Sequence, residues 1–117
     1  MRANVLTLLC ISASLLILTA CAPSNDSIAE SVQVSMQEKF NTDAIFRTMN
    51  LTVERVNVVN TSGNNYKGIA TLRYKGGLHD VNVEVIADGQ SVIWEVPAEE
   101  WLFVATEELD DLLKALQ

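Results

Sequence analysis

The sequence predicts an α+β domain: an N-terminal helix packed on a four-stranded antiparallel β-meander, followed by a C-terminal amphipathic helix. Three observations predict it. Ile28, Val32, Met36 and Phe40 recur at four-residue steps and make one apolar helical stripe. Two glycine-containing turns, Gly76-Gly77 and Asp88-Gly89, each put Val81, Val83 and Val85 on the same face of a sheet. Leu109, Leu112, Leu113 and Leu116 then recur at i, i+3, i+4 and i+7.

The first helix is expected over residues 28–40. Ser27-Ile28-Ala29-Glu30 fits a capping box, in which serine and glutamate satisfy the first backbone N–H groups reciprocally. Gln33, Gln37, Glu38 and Lys39 fall away from the stripe, and Asn41-Thr42-Asp43 ends it. Residues 44–50 admit a short helical turn around Ala44-Ile45-Phe46. Pairing across Gly76-Gly77 sets Tyr74 against His79, Leu72 against Val81, Ala70 against Val83 and Gly68 against Val85. The other face pairs Arg73 with Asp80 and Thr71 with Asn82. Pairing across Asp88-Gly89 sets Val85 against Val92, Val83 against Trp94 and Val81 against Val96. A one-residue slip at either turn would turn every valine outward.

A third hairpin through residues 61–65 places Val58 beside Gly68 and Val56 beside Ala70. Leu51 and Val53 are out of phase with them, so a bulge is expected near Glu54-Arg55. Gly68 and Ala70 make a depression where the first helix can approach. After Pro97, residues 101–105 read as a fifth strand or a buried turn, and Thr106 as the cap of the last helix. Acids early in that helix and Lys114 late match its dipole. The four leucines read as docking on the domain, with presentation to another protein as the rival.

The 117 residues allow one domain at most. Eight basic against 15 acidic side chains give a net charge of −7. A general nucleic-acid binder needs a basic surface to displace counterions, so nucleic acid is not an expected partner. Two cysteines are too few for a disulfide scaffold. With one histidine, and with no Ser/His/Asp set, phosphate loop, CxxC pair or HExxH element, the chain is read as non-enzymatic, without cofactor or metal. Glu107, Glu108, Asp110 and Asp111 lack the alternating ligands and turn glycine of a calcium loop and read as a solvated face. His79, beside Tyr74 at the edge of the inner face, has no partner nominated by the sequence.

Arg2 precedes an uncharged, largely apolar run from Val5 to Ala20 and then Leu18-Thr19-Ala20-Cys21. A charged start, an apolar run and small residues before a cut form a secretory signal. At ~1.5 Å per residue the run reaches about 24 Å, short of a ~30 Å hydrocarbon core. Residues 18–21 resemble the bacterial lipobox. That resemblance implies cleavage after residue 20, a diacylglyceryl group on the Cys21 sulfur and an acylated new N-terminus. It also implies a periplasm-facing protein anchored to a membrane through Cys21. Ala22, where an aspartate would imply inner-membrane retention, implies the outer membrane if the source is Gram-negative.

On that reading residues 1–20 are a signal peptide, 21–26 the lipidated cysteine and a short tether, and 27–117 a single domain. Removing Arg2 changes the balance to −8, of which Glu95–Gln117 holds −6. The segment from Tyr66-Lys67-Gly68 through Asp88-Gly89 to Trp94 is similar to small lipoprotein domains of unknown function.

The outer sheet face offers Lys67, Ile69, Arg73, Lys75 and Ile93 as a partner surface, an apolar centre with Ile86 in a charged rim. Trp101 is a further candidate interface anchor. The function expected is a membrane-anchored binding or accessory module that contacts an envelope protein. Two alternatives stand beside it: an exclusion or immunity lipoprotein of the phage or plasmid kind, and a small ligand-binding or enzymatic domain with a pocket between helix and sheet.

Overall fold

The computed structural model describes residues 24–89 and 91–117; the expected signal peptide, Cys21 and the first tether residues lie outside the described residues. Helix α1 (Asn25–Thr42) leads through a 3-10 turn at Phe46–Thr48 into β1 (Thr52–Ser62), β2 (Asn65–Tyr74), β3 (Gly77–Asp88) and β4 (Ser91–Glu95). A second 3-10 turn, Ala98–Trp101, leads into α2 (Leu102–Ala115). The four strands form one antiparallel sheet in chain order, and α1 packs across its inner face. The predicted α+β architecture is the observed one.

Helix α1 begins earlier than its expected start. Ser24 is the cap: its Oγ accepts the Ser27 N–H at 3.1 Å while its carbonyl accepts that of Ile28. Asn25 and Asp26, assigned to the tether, form the first turn, where Asp26 faces the positive end of the helix dipole. The stripe is buried as expected: Ile28, Val32, Met36 and Phe40 pack on Leu72, Val81, Val83 and Val85, all nearly inaccessible to solvent. Gln33 and Gln37, which fall off the stripe, bind the open edge of β1. The Gln37 side chain accepts the Val53 N–H at 2.7 Å and donates to the Leu51 carbonyl, and Gln33 donates to the Val53 carbonyl. One glutamine amide thus supplies both bonds that a neighbouring strand would.

The first hairpin pairs Val58 with Gly68 and Val56 with Ala70, with a register shift between Val53 and Arg55. That bulge brings Leu51 and Val53 onto the same inner face as Val56 and Val58. The other two hairpins keep their predicted faces but are each displaced by two residues in register. The central residues of the second are Lys75-Gly76, both at positive φ, so Tyr74 faces Gly77, Leu72 faces His79 and Ala70 faces Val81. Gly77 leaves room for the His79 ring: an added Cβ would meet His79 Nε2 at 3.3 Å and the Tyr74 carbonyl oxygen at 3.7 Å. Thr71, not Arg73, then lies across from Asp80 and donates to it at 2.6 Å, while Arg73 reaches Glu54 at 2.7 Å. At the third turn Asp88 faces Ser91, so Trp94 lies against Val85 rather than Val83. A displacement of two keeps every valine inside because the side-chain period of a strand is two.

Two further expectations are corrected. The space over Gly68 is filled by β1 rather than by the helix: an added Cβ would meet the Asn57 carbonyl oxygen at 2.8 Å and Val58 Cγ1 at 2.9 Å. Gly68→Ala is therefore expected to force β1 from β2 and destabilise the domain by about 1–3 kcal/mol in urea unfolding. Residues 102–105 are the first turn of α2, so Thr106 is internal and its hydroxyl donates back to the Leu102 carbonyl at 3.0 Å.

Candidate functional site

The outer sheet face is the open surface of the domain. Alternation along β2 places Lys67, Ile69 and Arg73 on it, and the β3–β4 pairing brings Ile93 beside Ile86. These four predicted residues share one face. Val59 on β1, across from Lys67, adds a fourth exposed aliphatic position beside Ile69, Ile86 and Ile93. Its outward position follows by alternation from Val58, expected inward beside Gly68, but the outer-face candidates came from the later strands and left it out. A shallow groove of about 440 Å³ runs across the face between Arg55, Asn57, Ile69 and Asn82. Thr71 forms its buried floor, bonded to Asp80.

Lys75 and Trp101 are not part of that face. Lys75 occupies the β2–β3 turn, and its ammonium binds Asp111 and, at 2.9 Å, Glu108. These carboxylates hold the ammonium proton, so the Lys75 pKa is raised. Tyr74 donates to Glu108 from the same end of the sheet. Burial, then that bond, raises the Tyr74 pKa, so the phenol remains a donor at neutral pH. Trp101 stands in a chain of aromatic rings on the inner side: 5.9 Å from Phe40, 5.3 Å from Phe46 and 5.9 Å from Phe103. Phe103 stacks on His79 at 4.3 Å between ring centres. His79 Nε2 is buried without a hydrogen bond, its nearest acid being Glu107 at 3.8 Å.

Helix α2 is therefore pinned by Phe103, Val104, Glu107, Glu108 and Asp111. The leucines do not dock: Leu109, Leu112, Leu113 and Leu116 are 52–84% exposed. The apolar stripe is real, but it faces away from the domain. Its opposite flank carries the groups that Lys75, Tyr74 and His79 select.

Hydrogen bonds from Tyr74 and then Lys75 hold Glu108 below the ordinary carboxylate range, and Lys75 does the same to Asp111. Their contribution is complete above the unfolded pKa values, near 4. It is lost as pH falls through the lower folded values. Acidification from pH 7 is expected to leave the docking of α2 intact to about pH 4 and loosen it below. Tryptophan fluorescence, which reports Trp101 at the helix start, checks this.

The interior between α1 and the sheet is filled by side chains. The concavity nearest the expected helix–sheet pocket is an open groove of about 500 Å³ at the edge, between Ser35 and Lys39 on one side and Trp94 and Trp101 on the other. Trp94 Nε1 donates to Ser35 at 3.0 Å beside it. Among the described residues no group of three or more His, Cys, Asp or Glu side chains is placed to hold a metal ion. No helix among them is long and apolar enough to cross a membrane. The chain matches no protein-family model, and its comparison with curated proteins and with solved structures found no similar protein.

Proposed function

We propose that this protein is a lipoprotein of the bacterial envelope, anchored through acyl chains on Cys21, that binds an envelope protein through its outer sheet face. The observation that carries the reading is that face: Val59, Ile69, Ile86 and Ile93 exposed together, with Lys67, Arg73, Glu84 and Glu95 around them. An apolar centre in a charged rim is the anatomy of a protein-binding patch. The lipobox supplies the location. Single acyl chains hold only marginally, and two or three on one residue make anchoring stable. Because Ser24 caps α1, three residues separate Cys21 from the helix start, a reach of about 10 Å. The domain then stands with the first turn of α1 against the membrane.

Two measurements test this. Cys21→Ala is expected to abolish incorporation of a palmitate analogue and release the chain from the membrane fraction. Ile69→Asp with Ile93→Asp is expected to leave lipidation and the thermal midpoint unchanged while removing cross-links to the envelope partner. Unlabelled wild-type protein would reject the anchor. Cross-links that survive both aspartates would reject the surface.

A further inference from the structure

Helix α2 turns its apolar side to solvent along its whole length. Leu102, Ala105, Leu109, Leu112 and Leu116 fall at alternating steps of three and four, the a/d seam of a paired helix, with Leu113 beside it. All of them are exposed. The side chains that hold α2 to the domain, Phe103, Glu107, Glu108 and Asp111, lie on the other flank, so the body of the protein stands behind the seam.

We infer that this seam binds the same seam of a second copy of the chain, antiparallel, in a two-fold dimer. Three features select that occupant. The first is charge. Glu108 and Asp111 are turned to Lys75, Asp110 is paired with Lys114 at 3.0 Å, and Glu107 faces His79. Thr106 and Leu113 border the seam on one side, and on the other Glu108 is already engaged. A second acidic copy therefore meets no unpaired like charge at the contact. A lipid surface would need basic flanks that α2 lacks. A basic partner would find Glu108 and Asp110, the carboxylates nearest the seam, already engaged by Lys75 and Lys114.

The second feature is fit. In the antiparallel register Leu109 layers against the partner's Leu112, and Ala105 against the partner's Leu116, large against small. A parallel pair would set Ala105 on Ala105 and leave a gap. The opposed helix dipoles also favour the antiparallel pair. The third feature is area. Leu102 has no counterpart in this register; the other four leucines, exposed by half or more, offer on the order of 100 Å² each, so pairing removes roughly 800 Å² in total, below the ~1,200 Å² of stable specific interfaces and in the range of weak, transient ones. The dimer is therefore of the dissociable kind.

Sedimentation equilibrium of the full chain in density-matched detergent tests this over a hundredfold concentration range. The expected mass rises from one chain to two. Leu109→Glu with Leu112→Glu should remain at one chain, with an unchanged circular dichroism spectrum because both leucines are exposed. Orientation is read with Cys10 and Cys21 replaced by serine: Ala105→Cys on one chain should form a disulfide with Leu116→Cys on another, and not with itself. A wild-type chain that stays monomeric, a double glutamate variant that still pairs, leucine-dependent binding to lipid vesicles by a monomer, or Ala105→Cys linked only to itself would each overturn the proposal. The dimer does not depend on the anchor, so a wild-type chain found without acyl groups that still pairs would reject the Cys21 reading alone.

Discussion

Phe40→Ala is expected to destabilise the domain by about 3–5 kcal/mol, the largest loss of any single substitution considered. Phe40 is 1% exposed. Its ring meets Phe46 at 5.1 Å, Trp101 at 5.9 Å and Trp94 at 6.3 Å, the last two edge to face. Removing it deletes the transfer free energy of the ring and leaves a cavity whose walls come from α1, the first 3-10 turn, β4 and the second 3-10 turn. Those walls are separate elements held by the missing ring, so they have little means of closing on the gap. A domain of this size has a total stability of ~5–14 kcal/mol. Urea unfolding should show the loss as a lower midpoint with an unchanged slope, and the thermal midpoint should fall by roughly 20 °C.

Phe103→Ala is expected to act locally. Phe103 is half-buried, stacked on His79 at 4.3 Å and edge-on to Tyr74 at 5.9 Å, and it is the main apolar peg of α2. Without it the helix is held by Val104 and by pairs to Lys75, Tyr74 and His79, of which the exposed ion pairs contribute little in water. A lone 14-residue helix is marginal. Amide exchange should accelerate over residues 102–115 while α1 and the sheet keep their protection. Uniform acceleration across the chain would show instead that α2 is an integral part of the cooperative core. The two phenylalanines thus separate a stable body from an appended helix.

The faces of the sheet were legible because the valines at 81, 83 and 85 alternate, and that parity survives any displacement by two. The turn residues were not. Gly76-Gly77 and Lys75-Gly76 both satisfy the local chemistry of a primed turn. The choice between them decides whether Tyr74 pairs with Gly77 or with His79. It also places Lys75 in the left-handed region, beside two carboxylates 33 and 36 positions further on. The helix at 102–115 was half legible. Its leucine spacing identifies an apolar face but not the direction in which it points, and Phe103, Glu108 and Asp111 decided that by matching His79, Tyr74 and Lys75. The outer-face candidates followed from alternation and stand together; Lys75 and Trp101 left that group because each found a partner on α2 or α1. Gln33 and Gln37 read only as positions off the apolar stripe, since no pattern marks an amide that will meet a strand edge.

Glu100 has a bearing on how the protein behaves when concentrated. Strand β4 ends at Glu95, opposite Glu84, which leaves the edge of β3 bare beyond that point. The Glu100 carboxylate covers the first bare position, accepting the Asn82 backbone N–H at 3.0 Å and its side-chain amide at 2.8 Å. Those two bonds hold the Glu100 pKa down, so the cover is charged at neutral pH. An incoming strand would have to displace a bound anion from the donor it needs. With Gln33 and Gln37 bonded to the start of β1, side chains cover part of the edge on each side of the sheet, and an incoming strand meets an occupied donor at those positions.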